Sequence, residues 1–213
     1  MNSADHLEKL LSRHPEIASS IPALRVLIDD ALGLFRRGGT FFVAGNGGSA
    51  ADSDHICGEL LKGFLLKRPL SDTDSKKFAD LFGADGSRCA GKLQGGLRAV
   101  SLLSHPALSS AFANDVDADL VYAQQLWALA KEGDIFLGIS TGGGAENIRA
   151  ALMAAKVRGV KSFLLTGNRH GVCEKYADVV ISVDEKETYL IQEKHIILYH
   201  SFCMAVESEL FAN

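Results

Sequence analysis

Short apolar runs alternate with helical patterns along this 213-residue chain, and that alternation restricts the fold more than any other feature. The apolar runs are predicted strands, which we place at 40–44, 97–103, 135–139, 160–165 and 178–183. The predicted helices lie at 3–13, 21–37, 107–113, 117–131, 144–158 and 187–211, with a further helix after residue 48. Strands that alternate with helices form a parallel sheet that is covered by helices on both faces. The sequence therefore predicts an α/β fold.

The length suits a single domain, 1–213, with a well-buried core. Within it we distinguish an N-terminal helical arm at 1–38 and an inserted segment at 66–96. The inserted segment is polar and rich in glycine, and its pattern predicts one short helix near 74–82. Loops of this length inside a compact domain are usually functional or disordered. We expect a mobile or partner-ordered segment at a subunit interface near the pocket.

Charge and cysteine content exclude several classes of protein. A net charge of -4 gives no general attraction to nucleic acid or to anionic membranes. The apolar runs are far shorter than a membrane span, and the charged N-terminus lacks the apolar region of a secretory leader. The four cysteines are widely spaced and include no CxxC pair, which indicates reduced thiols. We therefore expect a soluble cytoplasmic protein with no nucleic-acid or membrane partner.

Two predicted strands lead into loops of small residues that precede helices, GNGGSA at 45–50 and STGGGAEN at 140–147. In a parallel sheet, ligands bind beyond the carboxyl ends of the strands, where helix N-termini present free amides. Ser49, Ser140 and Thr141 add hydroxyl donors, and Ser49 is a predicted helix cap. A plain glycine turn explains one such loop equally well, but two in one domain predict a phosphate or sugar site. Neither loop is a Walker A motif and GxGxxG is absent, which disfavours nucleotide binding.

His55 and Glu59 lie four residues apart on the helix after the first loop, so they share one face of it. Without further context such a pair is usually a surface ion pair. A carboxylate near a strand end can instead take a proton from the carbon next to a carbonyl, given a raised pKa and a nearby acid. The same imidazole and carboxylate can equally bind a divalent metal.

The last helix carries Gln192, His195 and His200. At 100° per residue the two histidines lie about 140° apart, so one helix cannot direct both into one site. Spacing slightly favours His195 as the partner of Gln192 but does not settle the choice. Asn114 and Asp115 follow a short predicted helix, where they can bind sugar hydroxyls or simply form a helix cap.

Several motifs together resemble one known family, the phosphoheptose isomerases of the sugar-isomerase (SIS) superfamily. These motifs are GNGGSAAD at 45–52, HxxxE at 55–59, AND at 113–115, GDIFLGIST at 133–141, LTG at 165–167 and IQEKHIILYH at 191–200. Members convert sedoheptulose 7-phosphate to a heptose 7-phosphate for lipopolysaccharide or surface-glycan precursors. The resemblance runs from about residue 20 to the C-terminus, apart from the segment near 66–96. It implies a single SIS domain with a five-stranded parallel sheet, in a homotetramer or at least a dimer, with active sites at subunit interfaces.

The resemblance also implies roles for individual residues. Glu59 matches the general base and His200 the general acid, and His200 is favoured over His195 because another subunit can complete the site. The zinc ligands of metal-holding members are matched by His55, Glu59, Gln192 and His200, which implies one zinc per subunit. Substrate-binding positions are matched by Asn46, Gly47, Gly48, Ser49, Asn114, Asp115, Ser140, Thr141, Gly142 and Gln192.

The chain departs from the family in two places. The usual phosphate loop reads STSGNS, whereas residues 140–145 read STGGGA, so hydroxyl donors are missing at Gly142 and Ala145. Each lost hydrogen bond to a charged group costs about 1.5–3 kcal/mol, which predicts weaker phosphate affinity or a different sugar. The second departure is the inserted segment, whose basic residues can supply other contacts: Lys67, Arg68, Lys76, Lys77 and Arg88.

Two other functions compete with the isomerase. Some SIS proteins are non-catalytic, and they bind phosphosugars as sensors or bind other proteins as regulators. Such relatives need not keep an acid–base pair, so the presence of both Glu59 and His200 favours the enzyme. A metal hydrolase is a weaker alternative, because the candidate ligands lie on helices typical of the isomerase.

Overall fold

A five-stranded parallel sheet forms the centre of the computed structural model, which describes residues 3–212. The strands, in the spatial order β2-β1-β3-β4-β5, are β1 Phe41–Gly45, β2 Ala99–Ser101, β3 Ile135–Ile139, β4 Lys161–Thr166 and β5 Val179–Ser182. Strands buried on both faces need near-continuous apolar sequence, which is why each apolar run marked a strand. The predicted α/β fold with a parallel sheet is confirmed.

Helices cover both faces of the sheet. They are α1 Ser3–Arg13, α2 Ile21–Arg36, α3 Gly48–Leu61, α4 Asp72–Ala90, α5 Pro106–Phe112, α6 Val121–Leu129, α7 Glu146–Val157 and α8 Thr188–Phe211. Short 3₁₀ or π turns lie at Pro15–Ser20, Ala113–Asp117, Ala118–Leu120 and Val172–Lys175. None of the helices within residues 3–212 has the length and apolarity required to cross a bilayer.

Alternate residues of each strand pack into two separate cores. Phe41 and Val43 pack with α1, α2, α3 and α8 on one face of the sheet. Phe42 and Ala44 pack with α6 and α7 on the other face. This alternation follows from the period of two in a strand. It fixes the sheet between two helical layers and leaves the loops at the strand ends open to ligands.

The inserted segment is more helical than the sequence predicts. Helix α4 covers Asp72–Ala90 and continues through Gly83, which has a non-helical φ of +59°. The prediction of a short helix near 74–82 is therefore wrong in its extent. Gly83, directly after the predicted helix, forms a kink between two helical stretches. Ser71 caps the start of α4, where its hydroxyl accepts a hydrogen bond from the Asp74 amide at 3.1 Å.

The two ends of the inserted segment meet near Arg68. The Gly95 amide donates to the Arg68 carbonyl at 2.6 Å, and Pro69 and Gln94 form an antiparallel bridge. The chain thus leaves and re-enters the domain at one place. That the segment lies at a subunit interface or is mobile stays a prediction.

A buried ion pair between Arg68 and Glu207 attaches the base of this segment to α8. Both side chains are almost fully buried, and Arg68 Nε lies 2.8 Å from Glu207 Oε1. The carboxylate also accepts the backbone amides of residues 64–66 at 2.7 to 3.0 Å. Burial opposes ionisation of Glu207, but these amides and Arg68 outweigh it and hold its pKa below the ordinary value.

Most basic residues of the segment that were candidates for substrate contacts have partners within the chain. Arg68 is buried and donates to the carbonyl oxygens of Leu60 and Glu59 at 2.9 and 3.3 Å. Along α4, the side chains pair Lys76 with Asp80 and Lys77 with Asp74. Arg68 is therefore a structural residue, and the α4 lysines form surface ion pairs of small energetic value.

Candidate active site

The first glycine loop turns the chain from β1 into α3. Gly47 has a φ of +55°, a conformation that favours glycine, and the helix begins at Gly48. A Cβ atom on Gly48 would lie 2.3 Å from Nε2 of Gln192, so a side chain at position 48 would displace the Gln192 amide. The side chain of Asn46 and the backbone of the two glycines are exposed at the carboxyl end of β1.

Ser49 is not the cap of α3, and that prediction is wrong. Gly47 occupies the N-cap position, and Ser49 lies inside the first turn, where it is only 3% exposed. Its backbone packs so tightly against Gly45 that a Cβ there would lie 2.4 Å from the Ser49 carbonyl oxygen. This first loop therefore offers backbone amides to a ligand rather than the Ser49 hydroxyl.

Asn147 joins the two glycine loops and was not predicted from the sequence. Its side-chain amide and that of Asn46 donate to each other, each at 2.9 Å. The Tyr122 hydroxyl donates to the Gly45 carbonyl at 2.8 Å and lies 3.3 Å from Asn46 Oδ1. The sequence does contain a signal for this contact: Asn46 follows β1 and Asn147 follows β3, and these two strands are neighbours in the sheet.

The second loop, residues 140–145, is held by the loop that follows β4. Gly143 has a φ of +65° and packs against Gly171, where a Cβ would lie 2.2 Å from the Gly143 carbonyl carbon. The Ser140 amide donates to the Leu165 carbonyl at 3.0 Å, and the serine is 8% exposed. Thr141 and Gly142 are partly exposed beside the N-terminus of α7.

Asn114 and Asp115 lie in the turn of π-helix at Ala113–Asp117, on the chain that follows β2. Both are exposed, and the Asn114 side-chain amide donates to Asp115 Oδ1 at 2.8 Å. Single π turns are frequent at functional sites. The two residues stay candidates for binding sugar hydroxyls.

The candidate acid and base residues meet within one chain. His55 Nε2 lies 3.4 Å from Glu59 Oε1 and 3.5 Å from His200 Nε2. The spacing of four places His55 and Glu59 on one face of α3, and α8 brings His200 against that face. The Phe64 ring lies beside the His200 ring, with the centroids 5.4 Å apart. A second subunit is therefore not required to bring His200 to this cluster.

Tyr199 and Asp52 support His55 from behind, and neither was predicted from the sequence. The Tyr199 hydroxyl lies 3.0 Å from His55 Nδ1 and donates to Asp52 Oδ1 at 3.2 Å. With that proton directed to Asp52, His55 Nδ1–H donates to the tyrosine oxygen. The lone pair of His55 Nε2 then faces Glu59 and His200. Burial raises the pKa of Asp52, against the opposing effect of the tyrosine hydroxyl.

The surroundings of His200 favour its neutral form. Burial and the neighbouring His55 lower the pKa of His200, and the Glu59 carboxylate partly opposes this. Lys62 Nζ lies 3.0 Å from Glu59 Oε2 and partly balances its charge. At neutral pH, His200 can therefore donate through a ring N–H and is not an imidazolium.

Glu59 does not lie beyond a strand end, as the sequence had suggested. It follows Gly48 by eleven residues, which corresponds to about 16 Å along α3. The Leu97 amide donates to the Leu60 carbonyl at 2.9 Å just before β2 begins, so this end of α3 lies near the amino-terminal edge of the sheet. The glycine loops and the Glu59 cluster consequently lie at opposite ends of α3.

His195 is enclosed in the protein and faces away from Glu59. Its side chain is 0% exposed, and burial lowers the pKa of the imidazole to about 4, against an opposing contact with the Thr166 backbone. The slight preference for His195 from spacing alone is not supported by this position. A buried neutral imidazole of this kind is a core residue.

A cavity of about 300 Å³ lies elsewhere, between α1 and α8. Apolar side chains such as Leu10 and Met204 line it, with Lys9 and Arg13 among its polar residues. Glu207 also reaches this cavity, but its carboxylate is bound to Arg68 and to backbone amides. We therefore assign the candidate active site to the Glu59 cluster and the glycine loops.

Comparison with known proteins places these residues in a family. No protein-family model matches the sequence. The chain is 33% identical over 191 residues to a phosphoheptose isomerase from Burkholderia pseudomallei, covering 90% of this chain and 84% of that protein. It is 32% identical over 211 residues to one from Aneurinibacillus thermoaerophilus, covering 98% and 93%. The chain belongs to the phosphoheptose isomerase family.

A solved phosphoheptose isomerase has the same fold. The structure from Neisseria gonorrhoeae superposes with a TM-score of 0.73 and 27% sequence identity, covering 96% of each chain. The five-stranded parallel sheet of the phosphoheptose isomerases, expected from the sequence motifs, is thus confirmed. The likeness spans the glycine loops, α3 and α8, so the candidate site belongs to the part that this chain shares with its relatives.

We expect His195 to make the stability of the fold depend on pH. Its pKa is about 4 in the folded protein against an ordinary 6.5, so below pH 6.5 only the unfolded chain takes up the proton. The stabilising contribution is complete above pH 6.5 and is lost as the pH falls towards 4, with a slope of about 1.4 kcal/mol per pH unit. Urea unfolding at several pH values measures this slope, which His195→Gln should reduce. His170→Gln, at an exposed position, is the control, and an unchanged slope in His195→Gln would contradict this interpretation.

Proposed function

We propose that this protein interconverts a ketose phosphate and an aldose phosphate, namely sedoheptulose 7-phosphate and D-glycero-heptose 7-phosphate. The observation that carries the proposal is the convergence of Glu59 and His200 on His55 in a member of the phosphoheptose isomerase family. The curated relatives bear the name of this isomerase. The product would enter lipopolysaccharide or surface-glycan precursors.

The reaction needs a base and an acid at neighbouring carbons of the sugar. A proton leaves the carbon next to the carbonyl, an enediol forms, and a proton returns to the neighbouring carbon. Glu59 is the proposed base: its carboxylate is largely buried, with a side chain 14% exposed, and its Oε1 atom faces the imidazole of His55. Lys62 is close enough to stabilise its charged form before the transfer.

His200 is the proposed acid at the carbonyl oxygen. A neutral imidazole donates its ring N–H to an oxygen on which negative charge develops, and this stabilises the transition state. The Tyr199 and Asp52 side chains fix the orientation of His55 between the two catalytic groups. His55 thus lies between Glu59 and His200 on the α3–α8 surface.

The glycine loops are the proposed subsite for the phosphate and the sugar hydroxyls. The N-terminus of α7 presents backbone amides next to Ser140 and Thr141, and such a terminus binds anions. The linked amides of Asn46 and Asn147 lie at the same edge of the sheet. Further proposed substrate contacts are Gly47, Gly48, Ser49, Asn114, Asp115, Gly142 and Gln192.

We also propose one zinc ion per subunit, held by His55, Glu59, Gln192 and His200. Within one chain Gln192 lies against Gly48, at the other end of α3 from Glu59, so a neighbouring subunit would supply the Gln192 ligand. Two imidazoles, a carboxylate and an amide oxygen are suitable zinc ligands. The Nε2 atom of His55 already faces Glu59 and His200. The bond from His55 Nδ1 to Tyr199 is the outer support that metal-bound histidines usually have. Among residues 3–212, no group of three or more His, Cys, Asp or Glu is arranged to hold a metal ion within one chain, so the proposed site depends on the assembly. When bound, zinc supplies positive charge to an oxyanion.

Metal analysis tests the zinc proposal without reference to activity. The purified native protein should contain close to one zinc per subunit, and zinc should raise its melting temperature because it binds the folded state alone. His55→Ala should lose both the metal and the shift in melting temperature. His105→Ala, which removes a histidine outside the cluster, should lose neither. Zinc content equal in the native protein and in His55→Ala would rule the site out.

A homotetramer, or at least a dimer, is the proposed assembly. The glycine loops and the Glu59 cluster lie at opposite ends of α3, so a neighbouring subunit can supply the missing half of each site. Large apolar side chains also remain exposed near the end of α3 and on α4: Leu61, Leu65, Leu81 and Phe82. Exposed apolar patches of this kind mark interaction surfaces.

Light scattering and subunit mixing together test this assembly. The protein should have at least twice the mass of one chain at micromolar concentration. If the sites are shared, mixing Glu59→Gln with Thr141→Val subunits should restore part of the activity that each variant lacks alone. Two preparations of the same variant mixed together are the control. A monomeric mass at micromolar concentration would contradict the proposal.

Substitution of the acid and the base tests the mechanism. Glu59→Gln keeps the shape of the side chain but removes the base, so turnover should fall by about 10²–10⁴ while substrate still binds. His200→Gln should act in the same way, whereas His195→Gln should affect turnover far less. A steady-state assay against C5–C7 ketose phosphates measures these effects. Near-native turnover by Glu59→Gln on every substrate that the native protein accepts would overturn the mechanism, and no turnover by the native protein would overturn the function.

The cytoplasm is the proposed location. All four cysteines are free thiols, and Cys57, Cys173 and Cys203 are buried. Burial raises the pKa of the Cys57 thiol to about 12, which keeps it unreactive. Free thiols suit a reducing compartment. Cell fractionation tests this, and recovery outside the cytoplasmic fraction would count against it.

A further inference from the structure

We propose that Arg169 binds the substrate phosphate and replaces the hydroxyl that is missing at Gly142. This inference rests on the proposed function, because it concerns the phosphate subsite of the same isomerase. Arg169 lies in the loop after β4 and would be a specificity-determining residue. It belongs neither to the family motifs nor to the acid–base cluster.

The position of Arg169 relative to Gly142 is the first observation. A Cβ atom built on Gly142 would meet a single neighbour within 4 Å, the Arg169 Cδ atom, at 3.9 Å. The arginine stem therefore passes the place into which a serine side chain at 142 would project. The sequence has no hydroxyl donor at position 142, and the fold places the cationic side chain of Arg169 beside that position.

The orientation of the guanidinium is the second observation. Arg169 Nε and Nη2 donate to the Lys186 carbonyl at 2.8 and 2.5 Å. These bonds hold the group in place while its other N–H donors stay available, and the residue is exposed to solvent. A guanidinium held in this way can bind phosphate oxygens through two parallel hydrogen bonds.

The loop that carries Arg169 is firmly attached to the phosphate loop. Gly171 packs directly on Gly143, and the Gly167 amide donates to the Thr141 carbonyl at 3.0 Å. The Asn168 side-chain amide also donates to Asp184. Arg169 is thus fixed relative to residues 140–145 before a ligand arrives, which lowers the cost of binding.

The guanidinium of Arg169 would bind phosphate more strongly than the hydroxyl that it replaces. A guanidinium forms charge-assisted hydrogen bonds with phosphate, which are stronger than those of a neutral hydroxyl. The altered STGGGA loop is therefore compatible with a substrate that carries a phosphate, and the subsite should favour phosphorylated over unphosphorylated sugars because of Arg169.

Equilibrium binding and kinetics of Arg169 variants test the inference. In Arg169→Ala, the Kd for inorganic phosphate and the KM for sedoheptulose 7-phosphate should rise by about tenfold or more, with kcat little changed, since uniform binding energy is lost. Adding Gly142→Ser to Arg169→Ala should recover part of the affinity, because it restores the family hydroxyl. Lys156→Ala, which removes a positive charge at the opposite end of α7, is the control and should leave both constants unchanged.

The outcomes separate this inference from the proposed function. Calorimetric binding of inorganic phosphate does not depend on turnover, so weaker binding by Arg169→Ala supports the inference even if the native protein isomerises no sugar phosphate. Affinity equal to that of the native protein overturns it, whatever the catalytic result. If Arg169→Ala does not fold, as judged by circular dichroism, Arg169→Gln takes its place. Arg169→Lys should bind with intermediate affinity, because it keeps the charge and loses the second parallel bond.

Discussion

Helices α3 and α8 lie side by side and run in the same direction, and the positions of the acid–base groups depend on that packing. At one end Gly48 has no side chain, which lets Gln192 approach. At the other end, Glu207 of α8 binds Arg68 and the turn that follows α3. Removal of one partner from such a buried pair destabilises a protein by about 3–5 kcal/mol. Between these two attachments His55 meets His200, with their Nε2 atoms 3.5 Å apart.

The sequence predicted those features that depend on local patterns. Continuous apolar runs identified the five strands, and a spacing of four placed His55 and Glu59 on one face. Contacts between distant parts of the chain could not be obtained in this way. Tyr199 lies 144 residues from His55 and Asn147 lies 101 residues from Asn46, so no periodicity joins them. A helix that follows a strand of a parallel sheet runs back towards the amino-terminal edge. Eleven residues of α3 therefore carry Glu59 away from the strand end, and the expectation at that edge overlooked this distance.

Anion binding and proton transfer are proposed for opposite ends of α3. In the proposed mechanism, anion binding takes place at the strand ends, where glycines would allow backbone amides, helix N-termini and Arg169 to approach a ligand closely. Proton transfer is proposed for the surface between α3 and α8, where partial burial lowers the pKa of His200. The sheet fixes the position of the strand-end loops, and the packing of α3 against α8 fixes the position of the Glu59 cluster. Both are therefore rigid parts of one domain. In the proposed assembly, the strand-end loops of one subunit would hold the substrate phosphate and the α3–α8 surface of its neighbour would hold the reacting carbons.

Isotope exchange tests most directly whether Glu59 moves a proton at the carbon next to the carbonyl. The isomerisation of sedoheptulose 7-phosphate is run in D₂O, and NMR follows deuterium at the carbon next to the carbonyl in the aldose product. The native protein should incorporate deuterium there, and Glu59→Gln should lose incorporation and turnover together. Incorporation by Glu59→Gln at the native rate would contradict this role of Glu59, because another group would then be the base.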